Sequence, residues 1–85
     1  MNENFYFVDS IQLAAAWIKQ HEIEPLQVHV TYNKGIRLHL SLEDFCKLYS
    51  LEDENIKTYL GRDFIEYQIK HAEGMLIISC YKELS

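Results

Sequence analysis

The chain is poor in punctuation: one proline and three glycines in 85 residues. That excludes long flexible linkers and favours continuous helices and strands with short turns between them. Cysteine is equally scarce, with only Cys46 and Cys80. A small secreted domain that lacks a sufficient core often carries four or more, so a disulfide framework is not expected and both thiols read as buried small hydrophobes. Positive charge is also short, with 8 Lys and Arg against 13 Asp and Glu, a formal net charge of -5. Counterion release from phosphates needs a basic patch, and residues scattered from Lys19 to Lys82 do not make one. Direct nucleic-acid binding and attachment to anionic membranes are therefore not expected. No run approaches the ~18 apolar residues of a membrane span. The start MNENFYFVDS has neither the basic n-region nor the long apolar h-region of a signal peptide. A cytoplasmic, reducing location is the resulting expectation.

What the chain does have is a core. Hydrophobic residues make up 48% and charged residues 25%, a globular balance. A chain this short buries roughly 60% of its unfolded surface, enough for one domain, residues 1–85. Six Tyr, four Phe and one Trp exceed what so small a core absorbs, so some rings belong at the surface.

Two stretches carry the same helix-start signature after an extended apolar run. In Val8-Asp9-Ser10-Ile11-Gln12-Leu13, Asp9 is the cap and Gln12 its partner three residues on. In Leu40-Ser41-Leu42-Glu43-Asp44-Phe45, Ser41 is the cap. The first predicts a strand Phe5–Val8, then a helix with Ile11, Ala14, Ala15 and Ile18 on one stripe, widened by Leu13 and Trp17 and ending near His21 ahead of Pro25. The second predicts a helix to about Ser50 that buries Leu42, Phe45, Cys46 and Tyr49.

Leu26 to Tyr32 alternates strictly, as does Ile36 to Leu40, around Asn33-Lys34-Gly35. A three-residue loop with glycine in the left-handed position predicts a hairpin with Tyr32 facing Ile36, Val30 facing Leu38 and Val28 facing Leu40. On its other face Thr31 meets Arg37 and His29 meets His39. Leu51 to Leu60 reads either as a short helix from Asp53 with Ile56, Tyr59 and Leu60 inward, or as a strand from Ile56. Phe64–Lys70 and Met75–Tyr81 form a second hairpin around Ala72-Glu73-Gly74, with Ile65, Tyr67 and Ile69 toward the core. The expected class is α+β: an antiparallel sheet with two main helices on one face. The element order β-α-β-β-α-β, plus an extra C-terminal strand, resembles the ferredoxin-like plan in order only, and that plan serves many unrelated functions.

No catalytic, cofactor or metal motif stands out. His29 and His39, side by side with Thr31 and Arg37, are the sharpest constellation: a polar sheet face, a proton-sensitive contact, or a ligand site in which Arg37 pairs with an anion. Zinc needs three or four ligands, and the neighbours supply no third. His21 at a helix end, where it suits the negative pole, and His71 at a turn read as solvated or capping rather than catalytic. Cys46 on an apolar stripe reads as core rather than nucleophile. Asn33-Lys34-Gly35 and Gly61-Arg62 are turn chemistry, and Phe5, Tyr6 and Phe7 lack the matching third strand of an RNA-stacking platform. Glu43, Asp44, Glu52, Asp53 and Glu54 form an acidic stretch without calcium-loop spacing, a solvated surface or a dock for a basic protein.

Phe64, Leu76, Ile78 and Cys80, with Glu66, Gln68 and Lys70, are expected on a sheet face that the helices leave free. The expectation is then a non-enzymatic protein-binding module, homodimeric, of the inhibitor, immunity-protein or antitoxin kind. The alternatives are a small-ligand domain using His29 and His39, and a nucleic-acid mimic using the acidic stretch.

Overall fold

The computed structural model describes residues 3–30 and 35–84, and of residues 3–6 the backbone alone. The class is α+β, with a five-stranded mixed sheet and two helices. The elements in chain order are α1 (Glu3–His21), β1 (Gln27–Val30), β2 (Ile36–His39), α2 (Leu42–Leu48), β3 (Lys57–Leu60), β4 (Phe64–His71) and β5 (Leu76–Glu83), with a 3-10 turn Ala72–Gly74 between the last two. The sheet order is β1-β2-β5-β4-β3. The ferredoxin-like order is not found. β2 and β5 run parallel in the middle of the sheet, and every other neighbouring pair is antiparallel.

The expected first strand is helix. α1 runs unbroken for 19 residues, and Asp9 and Ser10 lie within it rather than ahead of it. Aromatic and β-branched residues favour a strand only where a sheet edge receives them. Here no Gly or Pro interrupts the stretch, and helix elongation is cooperative once a turn exists. The buried stripe is Ser10, Ala14 and Trp17, with half-buried His21 one turn further. Small residues at its start bring the helix close to the sheet. The end near His21 is as expected. Glu22 takes a left-handed φ of 54° beyond it, and the His21 Nδ1–H donates to the Trp17 carbonyl at 2.9 Å.

The second helix starts where its cap predicts. Ser41 Oγ accepts from the Asp44 N–H at 3.1 Å, and Glu43 and Asp44 occupy the positive first turn. It is shorter than expected, closing at Leu48. Phe45 is fully buried, Leu42 and Tyr49 are half-buried, and Cys46 is exposed, which corrects its assignment to the core. Residues 57–60 are the strand alternative, with buried Ile56 just ahead of them.

The first hairpin pairs two residues out of the expected register: Val30 with Ile36, Val28 with Leu38, His29 with Arg37 and Gln27 with His39. A two-residue slip keeps every side chain on its own face, so alternation alone does not separate the two registers. Thr31, Tyr32, Asn33 and Lys34 lie outside the described residues. Gly35 has the expected left-handed φ of 78°, and a second reason to be glycine: a Cβ there would stand 2.4 Å from the Gly74 carbonyl oxygen.

Both helices cover one face. Ala14, Trp17 and Phe45 pack there with Ile36, Leu38, Leu40, Leu76, Ile78 and Cys80, and Tyr67 and Ile69 close the edge of that core. Burying the larger of these side chains contributes about 1.5–3 kcal/mol each. α1 meets β2 and β5, and α2 meets β5, but neither reaches β1. Val28 and Val30, on the apolar face of the hairpin, remain about half exposed at 53% and 52% because neither helix reaches that edge.

Candidate functional site on the open sheet face

The face opposite the helices is built by strand alternation. Register places three rows of side chains across it. His29, Arg37, Ile77 and Lys70 form one row; Gln27, His39, Ser79, Gln68 and Lys57 the next; Tyr81, Glu66 and Tyr59 the third. Phe64 stands beside the third row, its ring 4.5 Å from that of Tyr81.

The polar groups of this face are linked to one another, although Arg37 Nε is buried without an acceptor among the described residues. Arg37 on β2 reaches over β5 to Glu66 on β4, with Nη1 donating to Oε2 at 3.2 Å, and Gln68 Nε2 donates to the same oxygen at 3.0 Å. His39 Nδ1 and Ser79 Oγ are hydrogen-bonded at 3.0 Å, and the His39 ring lies 4.1 Å from that of Tyr81. Burial lowers the His39 pKa below the usual 6.5, and Arg37 lowers it further. Glu66 opposes that shift, and His29 adds to it. His29 is exposed, and its Nε2–H donates to Gln27 Oε1 at 2.9 Å.

His39 and Ser79 have the chemistry of a base and a nucleophile but not the access. Ser79 is wholly buried, so no substrate carbonyl reaches its oxygen. Among the described residues no three His, Cys, Asp or Glu converge as metal ligands, and no helix is long and apolar enough to cross a membrane.

The expected site residues divide sharply. His29, Arg37 and His39 do share this face, but His29 opposes Arg37 and lies diagonal to His39. Thr31 lies outside the described residues. Leu76 and Ile78 are 3% and 0% exposed, and Cys80 is equally buried. They point into the helix-covered core, not onto the free face. The expected placement was wrong because Met75-Leu76-Ile77-Ile78 is apolar on both faces and alternation leaves its phase open. Phe64, Glu66, Gln68 and Lys70 are on the open face, as expected. Of the acidic residues, Glu43, Asp44 and Asp53 make local contacts. Glu43 and Asp44 approach Lys47 at 3.9 and 3.4 Å, and Asp53 Oδ1 accepts from the Asn55 N–H at 2.8 Å. Glu52 and Glu54 are exposed in the same loop.

Sequence reasoning missed Lys57, Tyr59 and Tyr81. The available signal was the period-two alternation of Lys57 and Tyr59, hidden by the competing helix assignment. It also misjudged His71, which is half-buried and hydrogen-bonded to the Tyr49 hydroxyl at 3.0 Å. Burial, and then His21, lower its pKa. An open groove of about 370 Å³ between α1 and Met75, lined by Asp9, Gln12, Leu13 and Ala16, lies away from the histidine face. No family model, no curated protein and no solved structure matches the chain.

Proposed function

We propose that this chain is a non-catalytic protein-binding module whose recognition surface is the open sheet face. One observation carries the reading: Tyr59, Phe64 and Tyr81 stand together on that face at 46%, 37% and 38% exposure, beside the Arg37–Glu66–Gln68 network. Tyrosine combines a large apolar area with a hydroxyl and few rotatable bonds, so it dominates contact energies at protein interfaces. An enzyme needs a pocket around its reacting groups, whereas a partner surface needs a flat, rigid platform, which a sheet supplies. The homodimer expected from the sequence drew its support from Leu76 and Ile78 at the surface, and their burial removes that support.

The test is site-directed photo-crosslinking in the native cell. A benzoyl-phenylalanine at position 59 is expected to yield a covalent adduct of one defined mass with another protein. The same probe at position 47, on the helix side, is expected to yield none. No adduct from position 59, or equal adducts from both, overturns the reading.

A further inference from the structure

Although the chain is acidic, the strand residues of its open face carry more cations than carboxylates. Of its 8 Lys and Arg, Arg37, Lys57 and Lys70 stand on the open face. Two carboxylates share that face, Glu66 and Glu83, and Glu66 is engaged by Arg37 and Gln68. Lys57 and Lys70 are exposed, and among the described residues neither has a carboxylate within ion-pair distance. Lys57 lies directly opposite Gln68, so Lys70 is its diagonal neighbour, about 7 Å away. Like charges at neighbouring positions repel, and an anion placed between them relieves it. Arg37 Nε is buried and has no acceptor among the described residues.

We infer that the open face takes an extended acidic segment of a protein partner, with its carboxylates on Lys57 and Lys70 and an apolar side chain over Tyr59 and Tyr81. This rests on the protein-binding reading and names the chemistry of the partner. The spacing fits, because alternate residues of an extended peptide lie about 6.8 Å apart, close to the separation of the two lysines. A nucleic acid fits less well. Glu66 sits between the two tyrosines, and Glu83 opposite Phe64, where a stacked strand would carry its phosphates. A second copy also fits less well. Its acidic loop on this face makes a head-to-tail contact, which closes into a ring only at special angles.

The test is selection of a phage-displayed random twelve-residue peptide library against the full chain. The enriched peptides are expected to be acidic with an aromatic or aliphatic residue, to weaken as salt rises, and to lose at least tenfold in affinity to the Lys57→Glu/Lys70→Glu variant. Lys57→Gln/Lys70→Gln is expected to lose less, and Lys47→Glu on the helix side is expected to change affinity less than twofold. Thermal melts of all three variants check that they fold. Neutral or basic consensus peptides, no enrichment, or affinity insensitive to both lysine pairs overturns the inference. So does lysine-dependent binding of a single-stranded oligonucleotide, or a dimer in sedimentation that the charge reversal dissolves. Crosslinking from position 59 that persists alongside any of the peptide failures leaves the binding module standing and removes only the acidic partner.

Discussion

Arg37 and Glu66 are 29 residues apart in sequence and on strands that do not touch, yet their side chains meet at 3.2 Å above β5. The contact spans the middle of the open face and ties the first hairpin to β4. Glu66 is 15% exposed and Arg37 28%, so the pair is partly desolvated and less screened than a surface bridge.

Removing one partner leaves the other without its counter-charge. Glu66→Ala deprives both Arg37 and Gln68 of their acceptor, and is expected to cost about 1–2 kcal/mol in denaturant unfolding. A double-mutant cycle of Arg37→Ala and Glu66→Ala is expected to return a coupling of about 1 kcal/mol that shrinks as salt rises. Coupling near zero at low salt would show the bridge to be incidental.

The turn before β5 stores backbone strain. Ala72, Glu73 and Gly74 have φ of 50°, 57° and 92°, three consecutive left-handed residues, of which only the last lacks a Cβ. An L-residue in that conformation costs about 1–2 kcal/mol, and the gain from glycine is reduced by its larger unfolded-state entropy. Ala72→Gly or Glu73→Gly is therefore expected to stabilise by about 0.5–1 kcal/mol. Gly35→Ala is expected to cost about 3 kcal/mol or more, because its Cβ meets the Gly74 carbonyl and its φ is also left-handed. Melting temperatures moving in the same direction for all three variants would contradict this.

His39 makes stability depend on pH. Its pKa is lowered in the folded state, chiefly by burial, so the unfolded chain binds the proton more readily. The contribution is whole above the unfolded value near 6.5. It is lost as pH falls through 6.5 toward the folded value, and the slope ends below that. His71 acts in the same sense. Melting temperature is expected to fall between pH 7 and pH 5, and His39→Gln to flatten part of that fall. Nuclear magnetic resonance titration of the imidazoles checks the order directly. A His39 midpoint above 6.5 would reverse the argument.

The two cysteines differ in reactivity. Cys46 is exposed on α2, whereas burial pushes the Cys80 thiol up to about 12. Thiolate is the reacting form, so iodoacetamide at pH 8 is expected to alkylate Cys46 alone in the native protein and both in denaturant. Mass spectrometry of peptides containing each residue provides the readout. Equal native labelling would place Cys80 outside the core.

How much of this was legible depended on the range of the forces involved. The Ser41 cap is a contact three residues long, so its pattern is complete within one stretch of chain. The left-handed Gly35 was readable for the same reason. The Asp9 signature was as clear but did not start a helix, since α1 was already running. Cys46 fell on an apolar stripe by sequence spacing, but whether a stripe is covered depends on where the next element lies.

Local chemistry therefore determined the α+β class, the alternating strands, the second helix start and the polar character of Gln27, His29, Arg37 and His39. Tertiary structure alone decided that β5 inserts between β2 and β4. That insertion buries Leu76 and Ile78, brings Arg37 to Glu66, and gathers Tyr59, Phe64 and Tyr81 on one surface. Strand order is settled by which arrangement buries the most apolar surface at once, a sum over the whole chain that no single segment contains.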